Sequence, residues 1–486
     1  MPRASLRRRY LAVKIVHAFL IRLIEEGAST RVRSVMRRFL ATAVRYGFGA
    51  ILLVSVSSGI AHCEEDAFSK WAAAQAIPLA TVEPAEDFSD LLPLKSVVGT
   101  ARVVALGEPT HGAHEPMAFR NRLIRFLVEQ MGFTGVTLET GFTESASVDS
   151  FVGGGPGDAQ SVIAAEAAGQ HVPYLENGEL IQWMRDYNAT AAAAGHHRIR
   201  FYGVDLSFGG RVGGPRRAID YALAYLSHAN PADADRIRLS LGDSLPPSSD
   251  SRWGILSQPA LAALDSTIPA IAKAMAKNRS SLIAHSSVEE YRWALHNLDV
   301  ARQLAKCFHV TTPQSFEDMR YSGPVVGCRD QAMAENVRWV VQNEGPNGRV
   351  IVFAHNAHVM NWQQDGGYWA SMREKPFMMG SHLRRAFGKR LLIIAMSSAT
   401  ASAGLPTPEP IEDSIDDTLA RVGLPQMFLD LRMARQDPGV LAWLSSLRPL
   451  HANIFSHFLI TPSTAVDAFF FVNRLTPSIV SPDKEH

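Results

Sequence analysis

A chain of 486 residues, 47% apolar and 20% charged, has ordinary globular composition and ample length for a large core. Its net charge of +1 argues against a general nucleic-acid binder, and neither a P-loop nor a GxGxxG fingerprint occurs. Three cysteines, Cys63, Cys307 and Cys328, make neither a disulfide framework nor a zinc ribbon.

The first fifty residues carry eleven Lys/Arg and only Glu25 and Glu26 as acids. An uncharged apolar run, Phe48 to Ile60, follows; its 13 residues fall short of the roughly 20 a membrane span needs. With Arg37, Arg38 and Arg45 before it and Ala61-His62-Cys63 after it, the run reads as a secretory signal peptide. Met36 opens a conventional signal sequence and is a candidate true start. Residues 1–63 are therefore expected to be a leader, cleaved near Ala61 or Cys63, and the protein to be exported to the periplasm or secreted. An uncleaved leader anchoring the protein to the membrane is the alternative. Residues 64–486 are expected to form the catalytic domain.

Asp87 to Leu92, with Leu94 and Val97-Val98, predicts a helix before the first strand. Val103 to Leu106 is a short apolar run stopped by Gly107, the pattern of a buried strand. Glu108 and His111 follow on a turn, with Pro109 and Gly112 delaying any helix. Ligands of open α/β sheets bind at this end of the strands. Met117 to Met131 has the spacing of an amphipathic helix and carries Arg120 in its first turns; Arg122 and Arg125 on it read as solvated, and His114 and Glu115 before it as facing solvent.

The strand pattern recurs. Gly135 to Glu139 ends on a carboxylate, Ile199 to Asp205 on another, and Val350 to His358 on His355 and His358. Leu391 to Met396 is a further buried strand, and Ala468 to Val472 a last one. Gly153 to Gly157 is a loop, Leu180 to Asn188 a helical face bearing Trp183 and Arg185, and Ser207 to Gly214 a Gly-rich loop. Residues 215–340 are helical by periodicity, interrupted at Pro246-Pro247, and are expected to form an insertion or lid. Helix Asp330 to Val341 leads back to the histidine strand, and His382 to Phe387 predicts another helix. The fold class is α/β: a central mixed, largely parallel sheet flanked by helices. In an oxidising compartment Cys307 and Cys328 could form a disulfide across the insertion; two buried free thiols are the alternative.

A carboxylate accepting from one imidazole nitrogen fixes the tautomer and leaves the other nitrogen to take a proton from water. That assigns His111 as base, oriented by Glu108 or Glu139. Arg120 and His355 or His358 are candidates to stabilise an oxyanion, and Asp205, Trp183 and Arg185 to touch substrate. No GxSxG elbow and no HExxH motif occur, which disfavours an α/β-hydrolase serine and a thermolysin-like zinc.

GEPTHG (Gly107 to Gly112), LETGF (Leu138 to Phe142), LIQWMRDYN (Leu180 to Asn188), YGVD (Tyr202 to Asp205), RDQAMAENVRW (Arg329 to Trp339), AHNAHV (Ala354 to Val359) and MGSHL (Met379 to Leu383) occur in this order. As an ordered set, over roughly residues 85–480, they resemble the erythromycin esterase family. The resemblance implies a hydrolase that opens macrolide lactones, with little or no dependence on metal, and His111 as the base that activates water. Glu108, Arg120, Glu139, His355 and His358 also fall on matching positions. The expected partner is a small-molecule ester and no nucleic acid; no cofactor is expected. Two alternatives stay open. One is a metal-assisted hydrolase using His111, His355, His358 and a glutamate. The other is a non-hydrolytic binding or tailoring protein for polysaccharide or envelope material.

Overall fold

Uninterrupted apolar runs make the centre of the molecule. VVALGE, VIVFAH and the first eight residues of LLIIAMSSATA are buried throughout, which fits strands covered on both faces of a parallel sheet. The strands are β1 (Ile77–Pro78), β2 (Val103–Glu108), β3 (Gly135–Gly141), β4 (Arg200–Asp205), β5 (Val350–His355), β6 (Leu391–Ala401), β7 (Gln426–Asp430), β8 (Arg448–His451), β9 (His457–Ile460) and β10 (Ala468–Leu475). Eight of them form one sheet in the order β1-β7-β10-β6-β2-β5-β3-β4; β8 and β9 form a separate hairpin. From β10 to β4 all pairs are parallel, and β7 joins β10 and β1 antiparallel.

This computed structural model describes residues 67–166, 174–206, 214–242, 245, 256–405, 411–451 and 456–480. The leader 1–63, with its apolar run, Met36 and Cys63, lies outside them, as do loop residues 207–213 and Pro246-Pro247. The sheet and its helices belong to a compact unit spanning residues 69–486. Among the described residues no helix is long and apolar enough to cross a membrane.

The longer helices are α1 (His114–Met131), α2 (Leu175–Ala194), α3 (Gly214–Ser227), α4 (Pro231–Leu241), α5 (Gln258–Lys277), α6 (Val288–Val310) and α7 (Gly323–Asn343). α1 packs on the sheet, with Phe119 stacked on Phe470 at 3.8 Å between ring centroids. Asn230, Ser257 and Ser287 cap α4, α5 and α6 by accepting from backbone amides of the first turn. Among the described residues every element from α3 to α7 is helical. This layer is tied to the sheet: Asn336 of α7 donates to the Val204 carbonyl at 2.9 Å, and Trp293 of α6 stacks on Tyr202 of β4. Cys307 of α6 and Cys328 of α7 are joined by a disulfide.

Several local expectations change. The helix expected over Asp87 to Leu92 is a single 3-10 turn, Ser89–Leu91, followed by a short helix, Leu94–Val98. α7 starts seven residues before Asp330, at Gly323, behind Pro324 in its first turn. Arg122 is not solvated: it is 2% exposed, paired with Asp90 and bonded to the Thr81 and Asp87 carbonyls.

Candidate active site

The parallel register delivers the chemistry. Glu108, the last residue of β2, lies opposite His355, the last residue of β5. Glu139 sits near the end of β3 on the other side of β5. Three chemically active residues therefore leave three adjacent strands at one edge, where an open α/β sheet forms its cleft. Gly107 makes the crowding possible. A Cβ there would come within 2.2 Å of Asn356 Oδ1, and Asn356 ties the end of β5 to β6 through both the amide and the carbonyl of Met396.

His111 stands on the turn after β2, with Nδ1 2.6 Å from Glu108 Oε1. Its side chain is 53% exposed and Nε2 has no protein partner among the described residues. Desolvation of the ring lowers its pKa, but the charge and hydrogen bond of Glu108, aided by Glu139 and opposed by His358, lift it to about 9. His355 lies beside it, ring centroids 5.3 Å apart. Of the two carboxylates expected to orient His111, Glu108 makes the contact; Glu139 acts on it only through charge.

His355 is neutral by construction. Its Nε2–H donates to the Pro109 carbonyl at 3.1 Å, and its Nδ1 accepts from the Ala357 amide at 3.2 Å. Burial, with the positive charges of His111 and His358, drives its pKa down to about 3. His358 is the opposite case. Nδ1–H faces Asp330 at 2.8 Å and Nε2–H faces Glu139 at 3.3 Å. Despite desolvation and the Arg329 guanidinium 3.3 Å from Nε2, Asp330 and Glu139 lift its pKa to about 10.

Glu139 is the hub. One carboxylate oxygen accepts from the His355 backbone amide at 2.8 Å; the other accepts from Arg329 at 3.0 Å and from His358. Burial alone would raise its pKa, but His358, His111 and Arg329 hold it well below the ordinary glutamate value. Arg329 also grips Asp205 through two nitrogens, at 2.8 and 2.5 Å. Asp205 is thus a counter-charge to this arginine, and its side chain also accepts from the Leu206 amide. Arg329 and Asp330 stand beyond the site residues expected from the sequence. They are the first two residues of the RDQAMAENVRW motif, and that adjacency was the available signal.

Other expected site residues lie elsewhere. Arg120 is 1% exposed and bonds Asn121, Asn177 and the Glu176 carbonyl, with its guanidinium 4.8 Å from the Phe353 ring centre. Desolvation depresses its pKa to about 10. Its hydrogen-bond partners are neutral, and Glu108 and Glu176 balance its charge at longer range. Trp183 packs beside Tyr187 and under Arg125. Arg185 bonds the carbonyls of Phe151, Gly154 and Gly155, so it fastens the GGGPG loop. Neither touches the Glu108–His111–Glu139 cluster. His114 and Glu115 do not simply face solvent: His114 bridges Glu176 and Glu83, and Glu115 holds Thr476.

The donor set does not suit a metal. Both nitrogens of His355 and of His358 are engaged by protein groups, as is His111 Nδ1. Among the described residues no three His, Cys, Asp or Glu side chains are arranged to hold an ion.

Fold and site together define a mixed α/β protein with an imidazole–carboxylate pair at the C-terminal edge of its sheet. The family model for erythromycin esterase matches residues 128–475, and the chain belongs to the erythromycin esterase family. It is 23% identical over 399 residues to erythromycin esterase type II of Escherichia coli, covering 76% of this chain and 90% of that one. Among solved structures it is similar to a Bacillus cereus protein, with a TM-score of 0.71, 24% identity and coverage of 86% of this chain and 99% of that one. It is also similar to a mutant of the erythromycin esterase EreC in its open conformation, with a TM-score of 0.60, 18% identity and coverage of 84% and 99%. The structural likenesses bear on the fold alone. Family membership makes the chain a hydrolase of this family.

Proposed function

We propose that the chain opens a macrolide lactone, or a related ester, by direct attack of water activated by His111. The observation that carries this reading is the Glu108–His111 pair, at 2.6 Å, on a half-exposed imidazole whose second nitrogen has no protein partner among the described residues. Neutral His111 takes a proton from water through Nε2, while Nδ1–H donates to Glu108, which stabilises the imidazolium as it forms. The hydroxide adds to the ester carbonyl carbon. The tetrahedral adduct collapses with breakage of the carbon–oxygen ester bond, and the leaving alkoxide takes its proton from Nε2. Products are a carboxylic acid and an alcohol, joined in one molecule when the substrate is a lactone. No covalent enzyme intermediate is required.

The donors of His355 and His358 are committed to Pro109, Asp330 and Glu139, so these residues build the site in place of serving as oxyanion donors. Arg120 supplies positive field from behind Glu108. Export of the protein is part of the same proposal, and the Cys307–Cys328 disulfide supports it, since such bonds persist in oxidising compartments.

The test is mass spectrometry of a macrolide panel incubated with purified protein, read as addition of one water. His111→Ala is expected to abolish that product while circular dichroism stays unchanged. Full turnover by this variant would overturn the assignment of the base.

A further inference from the structure

The turn that carries His111 is short and irregular, and Gly112 on it has a φ of +80°. Such a segment needs an external support to hold a side chain in place. On one side His355 supplies it, through the bond to the Pro109 carbonyl. On the other side lies Thr476–Val480, which continues β10. It runs antiparallel to the turn, with Ala113 bridged to Pro477. His114 N–H donates to the Thr476 carbonyl and Ser478 N–H to the Gly112 carbonyl, both at 2.8 Å.

This segment is itself pinned. Thr476 donates through its amide and its hydroxyl to the two oxygens of Glu115, both at 2.7 Å. The Ser478 hydroxyl donates to Glu176. Leu175 N–H donates to the Ile479 carbonyl at 3.0 Å, and Tyr174 is bridged to Val480. Tyr174 closes the clamp over the turn: a Cβ on Gly112 would lie 2.7 Å from its hydroxyl.

We propose that Thr476–Ser478 is a positioning element of the active site, which fixes His111 against Glu108 by pairing with Gly112–His114. The segment touches no reacting atom and acts through the backbone of the turn. The proposal rests on the reading of His111 as the base, and the main readout below does not depend on turnover.

Ser478→Pro removes the amide that bonds Gly112, and Ser478→Ala keeps that amide while losing the bond to Glu176. The titratable groups that act on His111 are Glu108, Glu139, His355 and His358, with Tyr174 over the neighbouring Gly112, and none of them is substituted in either variant. In nitrogen-15 histidine spectra of the free protein, His111 is expected to titrate at a lower pH in Ser478→Pro than in wild type, moving from about 9 toward 6.5 as its contact with Glu108 loosens. Ser478→Ala is expected to keep the wild-type midpoint. On an ester substrate, the high-pH plateau of kcat, where His111 is neutral in both proteins, is expected to fall about tenfold in Ser478→Pro with KM within about twofold, the effect of one lost hydrogen bond on a preorganised group. Glu115→Ala frees both bonds to Thr476 and serves as the second variant; if Ser478→Pro does not fold, it decides alone. An unchanged His111 midpoint and unchanged kcat in the folded variants overturn the proposal. A shifted midpoint in a protein whose wild type hydrolyses no ester leaves the positioning role standing and removes the proposed reaction.

Discussion

Replacing Glu108 by Gln removes one charge from His111 while keeping the shape of the side chain. The carboxylate lies 2.6 Å from Nδ1 and, against the desolvation of the ring, holds the imidazole near 9 where 6.5 is ordinary. At pH 7 a group titrating at about 9 is basic about 1% of the time, and one at 6.5 about 75% of the time. Water reaches about half of the side chain, so screening takes a share of this pull, and about 9 is the upper bound of the wild-type midpoint. Hydrolysis needs the neutral imidazole, so kcat/KM rises with pH through that midpoint. Without the carboxylate the imidazolium is less stable, the midpoint falls, and the Glu108→Gln profile turns up about one to two pH units earlier. Its plateau is lower, by about 10- to 100-fold, because an amide stabilises the forming imidazolium poorly. The assay is kcat/KM for a macrolide lactone from about pH 6 to about pH 10, paired with the imidazole titration of the free protein. A midpoint that stays in place or rises in Glu108→Gln would refute the argument.

Other perturbations test the frame around the base. Arg329→Met leaves Glu139 and Asp205 buried without their shared guanidinium, which is expected to cost about 3 to 5 kcal/mol in urea unfolding; a loss below about 1 kcal/mol would show that the hub is not held by charge. Gly112→Ala meets the Tyr174 hydroxyl and a φ of +80° together, so at least a tenfold loss of kcat is expected in a protein that still folds. Cys307→Ser opens a link across 21 residues and is expected to cost about 3 kcal/mol in oxidising buffer. Wild type treated with reductant should fall to the same stability, and a difference between the two would contradict that account.

The strands were legible because buried parallel strands are continuous apolar runs, and Glu108, Glu139 and His355 were legible because they close such runs. Helix residues were not. Arg329 and Asp330 begin a stretch whose charges look solvated along a periodic helix, and only the return of α7 against β4 turns them toward Glu139. Arg122 misled for the same reason: the helical spacing could not show that Asp90 and two carbonyls from the preceding segment wrap around it. Arg185 and Trp183 lie on a conspicuous motif, yet their partners are loop carbonyls and aromatic neighbours. β7, β8 and β9, at five, four and four residues, are too short for alternation to distinguish them from loops. The pairing that supports the turn after β2 joins residues more than 350 positions apart, Gly112 to Ser478 and His114 to Thr476, and leaves no local trace in the sequence.

The sheet order carries a consequence for how the protein acquires activity. β5 inserts between β2 and β3, so the neighbours of Glu108 include a residue made some 250 positions later. The last support of the turn arrives later still. A nascent or partly refolded chain can hold much of its secondary structure and have no assembled reaction centre. Turnover is therefore a strict reporter of complete folding: during refolding it is expected to recover only with the slowest phase seen by tryptophan fluorescence.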